Sequence, residues 1–151
     1  MEFIFFKEMK EEYMETLHLA VNGTLMRGFP LNLNLLEVNA IFIEETKTSK
    51  HYRLWSINDE YPGMLRDEDN GDSITLEVWE LSYEGLISVL LKEPPGLCIG
   101  KIELDNHDLV FGVLAEPYIT EGQKEITKYG GWREYRKKSY NLQPGKNNGT
   151  T

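Results

Sequence analysis

The sequence has a single cysteine, Cys98, and this scarcity excludes two classes of protein. One thiol cannot form an intramolecular disulfide, so the chain is not a disulfide-stabilised secreted scaffold. No second cysteine and no suitably spaced histidine accompanies it, so a structural zinc site is not expected. The reducing cytoplasm is the compartment that fits a chain with one free thiol.

Basic residues are also few. The chain has 16 Lys and Arg residues against 25 Asp and Glu residues, which gives a formal net charge of -9. A surface with this balance repels a phosphate backbone. Nucleic acid is therefore not an expected partner.

Long hydrophobic runs are absent as well. The first six residues are mostly apolar, but charged residues follow at once, so the basic start and longer apolar core of a secretory signal are missing. A membrane span needs about 20 apolar residues, and no stretch provides them. We therefore expect a soluble cytoplasmic protein without a membrane partner.

A chain of 151 residues favours one domain. We place an N-terminal extension at residues 1–17, partly helical, the domain at residues 18–138, and a polar, disordered tail at residues 139–151.

Six segments have the β-branched and aromatic enrichment, or the alternation of apolar and polar residues, that is typical of strands. The apolar run Leu19-Ala20-Val21 predicts a buried first strand. Asn70-Gly71 predicts a hairpin turn, because this pair readily adopts positive φ angles. The other predicted strands are residues 40–46, 51–57, 74–81, 97–104 and 109–118, with turns at residues 47–50 and 105–108.

Two helices complete the predicted fold. Leucine-rich residues 31–36 predict a short helix, and residues 83–93 predict a longer one with Ser82 as its N-cap. Pro94-Pro95 ends the longer helix, because proline lacks an amide hydrogen and restricts the residue before it. Short strands with one good helix between them predict an α+β domain built on a curled, mostly antiparallel sheet or small β-barrel.

Several sequence motifs of catalysis are missing. The chain has no Gly-x-Ser-x-Gly nucleophile elbow, no phosphate loop and no dinucleotide-binding fingerprint after a strand. His18, His51 and His107 are too scattered to share one helical face, so a histidine metal site is not expected. The acidic run at residues 67–72 does not match the ligand spacing of an EF-hand and is interpreted as a solvated turn.

The segment at residues 23–28, Gly-Thr-Leu-Met-Arg-Gly, leaves the first predicted strand and is a candidate binding loop. Successive backbone amides in such a loop can point inward and form a nest for a carboxylate. Arg27 can add a positive charge, or it can face water. The alternative is an ordinary strand-to-helix turn in which Gly23 and Gly28 only supply backbone freedom.

Glu93 is a candidate acid/base group. Leu86, Val89 and Leu90 define the inward face of the longer helix, and Glu93 continues that spacing. A carboxylate at this inner end is partly desolvated, and desolvation raises its pKa toward the range useful for acid/base catalysis. The alternative is that the last helical turn frays and Glu93 reaches solvent.

The segment Val21-Asn22-Gly23-Thr24-Leu25-Met26-Arg27-Gly28 resembles the opening strand and substrate loop of gamma-glutamylcyclotransferases. Their usual form is Tyr-Gly-Ser/Thr-Leu, then a short basic stretch and Gly. The resemblance implies that the loop amides hold the substrate carboxylate and that a glutamate after the following helix is the acid/base catalyst, which corresponds to Glu93 here. Asn22 replaces the usual Tyr, and Leu90 replaces the Asp that precedes that glutamate.

A second resemblance covers nearly the whole predicted domain and is to the C-terminal domain of allophanate hydrolase, a relative with the cyclotransferase fold. That domain is associated with a decarboxylation that uses a loop histidine, and Leu25 occupies the matching position here. The matching pieces are Gly28-Phe29-Pro30-Leu31-Asn32, Tyr52-Arg53-Leu54, Pro62-Gly63-Met64-Leu65-Arg66, Glu77-Val78-Trp79, Leu97-Cys98-Ile99-Gly100 and Ile126-Thr127-Lys128-Tyr129-Gly130-Gly131-Trp132-Arg133.

Three functional hypotheses remain open at this point. The first is a gamma-glutamylcyclotransferase-like enzyme that forms a lactam from a small amine-bearing carboxylate and releases an amine. The second is a non-catalytic module that binds a small anion or serves assembly, and the third is decarboxylation of a carbamate-like dicarboxylate. No metal or cofactor is expected, and a homodimer is compatible with the sequence. The predicted site is Glu93 as catalyst with Asn22, Gly23, Thr24, Leu25 and Arg27 as substrate-binding residues.

Overall fold

The computed structural model describes residues 15–142 of the chain. The predictions for residues 1–14 and for the tail from residue 143 onward lie outside this range. Of the predicted extension, Thr16 already belongs to the first strand, and the last helix continues to Leu142. The described elements therefore begin before and end after the limits 18–138 expected for the domain.

Strands and helices alternate irregularly along the described chain. The strands are β1 Thr16–Val21, β2 Ile41–Lys47, β3 Tyr52–Ile57, β4 Tyr61–Arg66, β5 Thr75–Ser82, β6 Leu97–Glu103, β7 Leu109–Ala115 and the short β8 Lys124–Glu125. The α-helices are α1 Asn32–Leu36, α2 Tyr83–Leu91 and α3 Trp132–Leu142, and 3-10 turns lie at Pro117–Thr120 and Thr127–Tyr129.

The strands form two sheets. The larger sheet has the order β2-β5-β1-β7-β6, and the smaller has the order β4-β3-β8. Only the β1–β7 pair is parallel among the described strand pairs. The prediction of a mostly antiparallel α+β domain is confirmed, and its sheet divides into two parts rather than closing into a barrel.

Strand β1 lies in the middle of the larger sheet, so it has neighbours on both edges and layers on both faces. Leu19, Ala20 and Val21 are at most 1% exposed, as the apolar run predicted. The strand after the predicted turn at residues 47–50 does not pair with β2, because β3 belongs to the smaller sheet. The residues of this connection instead bond to strand ends of the larger sheet: Thr48 donates its amide hydrogen to Ile74 O at 3.0 Å.

Strand β4 is a part of the fold that sequence patterns missed. Its second and third residues are Pro62 and Gly63, which are typical of turns rather than strands. The structure accommodates Pro62 because β4 is an edge strand and bonds to β3 alone. The predicted hairpin at Asn70-Gly71 is wrong, because the two strands that flank it, β4 and β5, lie in different sheets.

Helix α2 begins as predicted and ends early. The Ser82 Oγ accepts a hydrogen bond from the Gly85 amide at 3.0 Å, which satisfies one of the free amides of the first turn. Regular helix ends at Leu91, two residues before the predicted end at Glu93, because Pro94 cannot continue it. Glu93 therefore lies in the turn that follows the helix, and not on the helix.

Candidate functional site

A small cleft lies where the loop after β1 meets the start of β4 and the turn after α2. Loop residues 22–25 form one wall, Tyr61 and Pro62 form a second, and Glu93 borders it from the third side. Val21, Leu97 and Val113 complete the lining. Its volume is about 20 Å³, which is room for one or two water molecules. The structure thus brings Glu93 and four of the five predicted binding residues to one place.

The loop wall presents unused backbone donors. The carbonyl groups are occupied: Gly23 O accepts from the Met26 amide at 2.9 Å, Thr24 O from the Leu31 amide at 3.1 Å, and Leu25 O from Asn32 Nδ2 at 2.8 Å. The amides of Thr24 and Leu25 have no acceptor within residues 15–142. Adjacent free amides beside a cleft are suited to hold an anion, because buried amides need a hydrogen-bond partner.

Asn22 anchors the start of the loop. Its side chain is 4% exposed, and Nδ2 donates to Val113 O at 2.9 Å and contacts Met64 Sδ at 3.9 Å. These contacts tie the loop to β7 and β4. The nitrogen of this carboxamide is therefore engaged within the protein, although Asn22 borders the cleft.

Gly23 is required by the close approach of β4. A Cβ atom at Gly23 would lie 2.4 Å from Pro62 Cδ and 2.6 Å from Pro62 Cγ. The ring of proline is stiff, so it cannot yield as a flexible side chain would. Loop and strand can form two walls of one narrow cleft only if this position lacks a side chain.

Glu93 lies in the cleft without a partner. Its amide donates to Leu90 O at 3.1 Å, which fixes the backbone of the turn. Its carboxylate makes no hydrogen bond or ion pair with any residue of the described range. Burial raises the pKa of this carboxyl above its usual value of 4.5. The predicted desolvation is present, although a turn rather than the helix positions the group.

Tyr61 was not singled out by the sequence and shares the cleft with Glu93. Burial raises the pKa of its hydroxyl, and the negative charges of Glu60 and Glu93 act in the same direction. A neutral phenol is therefore the form that faces the cleft at neutral pH. Sequence patterns did not identify Tyr61 as a site residue, because it belongs to strand β4, which they did not predict.

Arg27 is not brought to the cleft. Its Nε donates to Glu77 Oε2 at 3.0 Å, and its guanidinium lies 3.7 Å from the centre of the Phe42 ring. The predicted substrate-binding role is thus not supported by its position. The described residues that line the cleft include no Lys, Arg or His, so an anion there would be held by neutral donors, the backbone amides and the Tyr61 hydroxyl, and not by a positive charge.

Glu77 is a buried acid that sequence patterns did not single out. The alternation of apolar and polar residues along β5 is typical of a strand with one exposed face, but Leu76, Glu77, Val78 and Trp79 are all buried. The second face is covered by the loop after β1. Glu77 is 0% exposed, and its carboxylate accepts hydrogen bonds from the Arg27 amide at 3.0 Å and from Trp79 Nε1 at 3.1 Å.

A larger groove of about 750 Å³ opens between β1, α2, β6 and β7. Its lining is mostly apolar and includes Leu17, Leu86 and Val110. None of the described lining residues is acidic. The titratable side chains of the groove are those of His18, Tyr83 and Lys101, so it has no carboxylate like the one that lines the small cleft. Within residues 15–142 no three His, Cys, Asp or Glu side chains are grouped to hold a metal ion. No helix of that range is long and apolar enough to cross a membrane.

Comparison with known proteins identifies the family. Residues 17–137 match the model of the allophanate hydrolase C-terminal domain, and the chain belongs to that family. The fold is the gamma-glutamylcyclotransferase-like fold that the loop resemblance implied.

The chain is similar to proteins of very different length. It is 51% identical to c4763, described as a uropathogenic E. coli-specific protein, with a TM-score of 0.81 over 82% of this chain and 98% of that one. It is 29% identical to Kluyveromyces lactis allophanate hydrolase, with a TM-score of 0.79 over 85% of this chain and 22% of that one. It is 36% identical to urea amidolyase of Saccharomyces cerevisiae over 80% of this chain, and it spans only 7% of that relative's length.

Proposed function

We propose that the protein is a cyclotransferase-like enzyme that acts on a small carboxylate bearing an amino group. The observation that supports this most directly is the meeting of a desolvated, unpartnered carboxylate with two free backbone amides in one cleft. The Glu93 carboxyl has a raised pKa, and the amides of Thr24 and Leu25 lack acceptors within the described chain. A proton-transfer group beside an anion-binding nest suits acyl transfer to an internal amine.

In the proposed reaction the ionised Glu93 takes a proton from the substrate's ammonium group. The freed nitrogen attacks the carbonyl carbon of the substrate's own side-chain amide, and a carbon–nitrogen bond closes a five-membered lactam. The original amide carbon–nitrogen bond breaks, and Glu93 returns the proton to the leaving nitrogen. The attacking nitrogen loses a second proton as the lactam forms, and this proton passes to the same leaving group, which departs as an ammonium ion. The Thr24 and Leu25 amides hold the substrate carboxylate, so that attacking and attacked atoms stay close.

The test is turnover of gamma-glutamyl amines and gamma-glutamyl dipeptides, followed by detection of pyroglutamate. Glu93→Gln keeps the shape of the side chain but removes its ability to take a proton, so turnover should fall by about 10²- to 10⁴-fold. Glu60→Gln is the matched control, because Glu60 is an exposed acid next to Tyr61 that does not line the cleft. Unchanged turnover in Glu93→Gln contradicts the proposal.

A binding or assembly module is the second candidate, and the cleft volume of about 20 Å³ favours it. A substrate must open this cleft before it can bind, and Asn22 and Leu90 replace two residues of the cyclotransferase pattern. Glutarate, pyroglutamate and gamma-glutamyl compounds would then raise the melting temperature without any product formation.

Decarboxylation, the third hypothesis, has less support. Leu25 is 4% exposed and packs in the hydrophobic core, so the position matching the loop histidine has no proton-transfer group. The reaction is still worth testing, because the chain is similar to an allophanate hydrolase and to a urea amidolyase. Release of carbon dioxide from a carbamate-like dicarboxylate would restore this hypothesis.

A further inference from the structure

We propose that Glu77 is a positioning residue, which holds the loop at residues 23–27 so that the Thr24 and Leu25 amides face the cleft. The functional meaning of this inference rests on the proposed anion-binding role of those amides. Glu77 itself does not line the cleft. It acts through the backbone of Arg27, two residues beyond Leu25.

The Arg27 backbone is gripped on both sides. Its amide donates to Glu77 Oε1 at 3.0 Å, and its carbonyl oxygen accepts a hydrogen bond from Arg133 Nη2 of helix α3. The Arg27 guanidinium adds a second bond to the same carboxylate, at 3.0 Å from Oε2. Trp79 Nε1 donates to Oε1 at 3.1 Å and thereby fixes the orientation of the Glu77 side chain.

The contacts at Arg27 affect the cleft through the short turn at residues 23–26. Met26 precedes Arg27, is 1% exposed, and donates its amide to Gly23 O at 2.9 Å. Between these two bonded residues stand only Thr24 and Leu25. Because the turn is closed by Met26 and its exit is fixed at Arg27, the direction of the two free amides depends on the contact with Glu77.

Two pieces of sequence that carry the family resemblance meet at this carboxylate, and a third contacts it through Arg133, although all three are far apart along the chain. Phe29 belongs to the first piece, Glu77 and Trp79 to the second, and Arg133 to the third. The Arg133 guanidinium lies 5.2 Å from the centre of the Phe29 ring and 3.6 Å from Glu77 Oε2. None of these four residues takes part in the proposed cyclotransferase reaction. Their contacts are consistent with a common role in holding the loop.

The experiment compares Glu77→Gln with Glu45→Gln in the full chain. Glu45 is the matched control because its carboxylate also lies 3.6 Å from Arg133 but is half exposed and forms no hydrogen bond or ion pair with residues 23–27 of the described chain. Amide proton shifts are measured by NMR for Thr24 and Leu25, and hydrogen exchange is measured for the Met26 amide, which is bonded to Gly23 O. Glu77→Gln should shift the Thr24 and Leu25 amides and speed the exchange of the Met26 amide at least about tenfold, because one acceptor oxygen of the Glu77 side chain is replaced by a donor. Glu45→Gln should leave these amides unchanged.

A second pair of measurements separates the inference from the proposed function. Glutarate affinity, measured by titration, should fall about tenfold in Glu77→Gln and stay constant in Glu45→Gln. One outcome is that the wild-type protein binds no glutarate and forms no lactam while Glu77→Gln still shifts the two amides. In that case the proposed function fails, but the positioning role of Glu77 stands. Unchanged Thr24 and Leu25 amides in a folded Glu77→Gln protein overturn the inference.

If Glu77→Gln does not fold, Arg133→Met replaces it. This change removes the bond to the Arg27 carbonyl and the ion pairs of Arg133 with Glu45 and Glu77, but it leaves the hydrogen bonds of Glu77 with Arg27 and Trp79 in place. It should move the Thr24 and Leu25 amides in the same direction by a smaller amount. Arg133→Lys, which keeps a donor and a charge, should recover part of the shift. Amides that do not move in Arg133→Met overturn the inference as well.

Discussion

Two glutamates approach the loop at residues 23–28 from different sides, and their surroundings differ. Glu77 is fully buried and accepts hydrogen bonds from the Arg27 backbone, the Arg27 side chain and Trp79. Glu93 is partly buried, and its carboxylate has no partner among residues 15–142. One carboxylate has a complete set of donors within the protein, and the other is left for a ligand or a proton.

The difference shows how burial leads to opposite roles. A buried charge is tolerated when donors surround it, and it then fixes the groups that donate. A desolvated carboxyl without donors instead gains a raised pKa, which is a feature of acid/base sites. Burial alone would therefore have selected Glu77 as the candidate acid/base group, whereas the number of hydrogen-bond partners separates the two glutamates.

The largest effect should come from truncating the satisfied glutamate. Glu77→Ala leaves the Arg27 amide and Trp79 Nε1 without their acceptor, so the free energy of unfolding should fall by about 3–5 kcal/mol. Glu93→Ala removes no hydrogen bond and should change the same free energy by less than about 1 kcal/mol. Urea denaturation of both variants measures the two values, and equal losses would remove the contrast between the glutamates.

An intermediate effect is expected at the loop itself. Gly23→Ala would force a Cβ atom to within 2.4 Å of Pro62 Cδ, so stability should fall by about 1–3 kcal/mol. Pro62→Ala removes the ring atoms that the new methyl group meets. The double variant should therefore lose less stability than the sum of the two single variants. Strict additivity in thermal denaturation would show that the close approach is not what requires Gly23.

The smallest effect is a pH dependence at Glu93. The folded state raises the pKa of this carboxyl by burial, so its contribution to stability is fully present below the usual value of 4.5. That contribution is lost as the pH rises through the folded pKa, because the ionised form is desolvated. Glu93→Gln cannot ionise, and its melting temperature relative to wild type should therefore increase between pH 4.5 and pH 7. A difference that stays constant with pH would mean that the carboxyl is solvated.

Sequence patterns predicted the local parts of the fold well. The apolar run at residues 19–21, the Ser82 cap of α2 and the strands on either side of the turn at residues 105–108 all occur as expected. Each of these depends on neighbours along the chain. Strand β4 was missed, because Pro62 and Gly63 are turn formers whose strand conformation depends on an edge position in a sheet.

The candidate site was predicted in part for a related reason. The loop and Glu93 were both identified, and the structure brings them to one cleft. Arg27 was expected to face a ligand but instead pairs with Glu77, which lies 50 residues away in the chain. The alternation of β5 could not reveal this pair, because a charged side chain on a covered face looks the same in sequence as one in water.

The sequence by itself determined the α+β class, the start of helix α2 and the identity of the two groups that meet in the cleft, because helix caps, strand alternation and proline stops act over a few residues. Only the tertiary structure decided that the strands divide into two sheets. It also decided which glutamate is satisfied and which is free. Hydrogen-bond partners and desolvation come from residues far apart in the chain, so they exist only once the layers have packed.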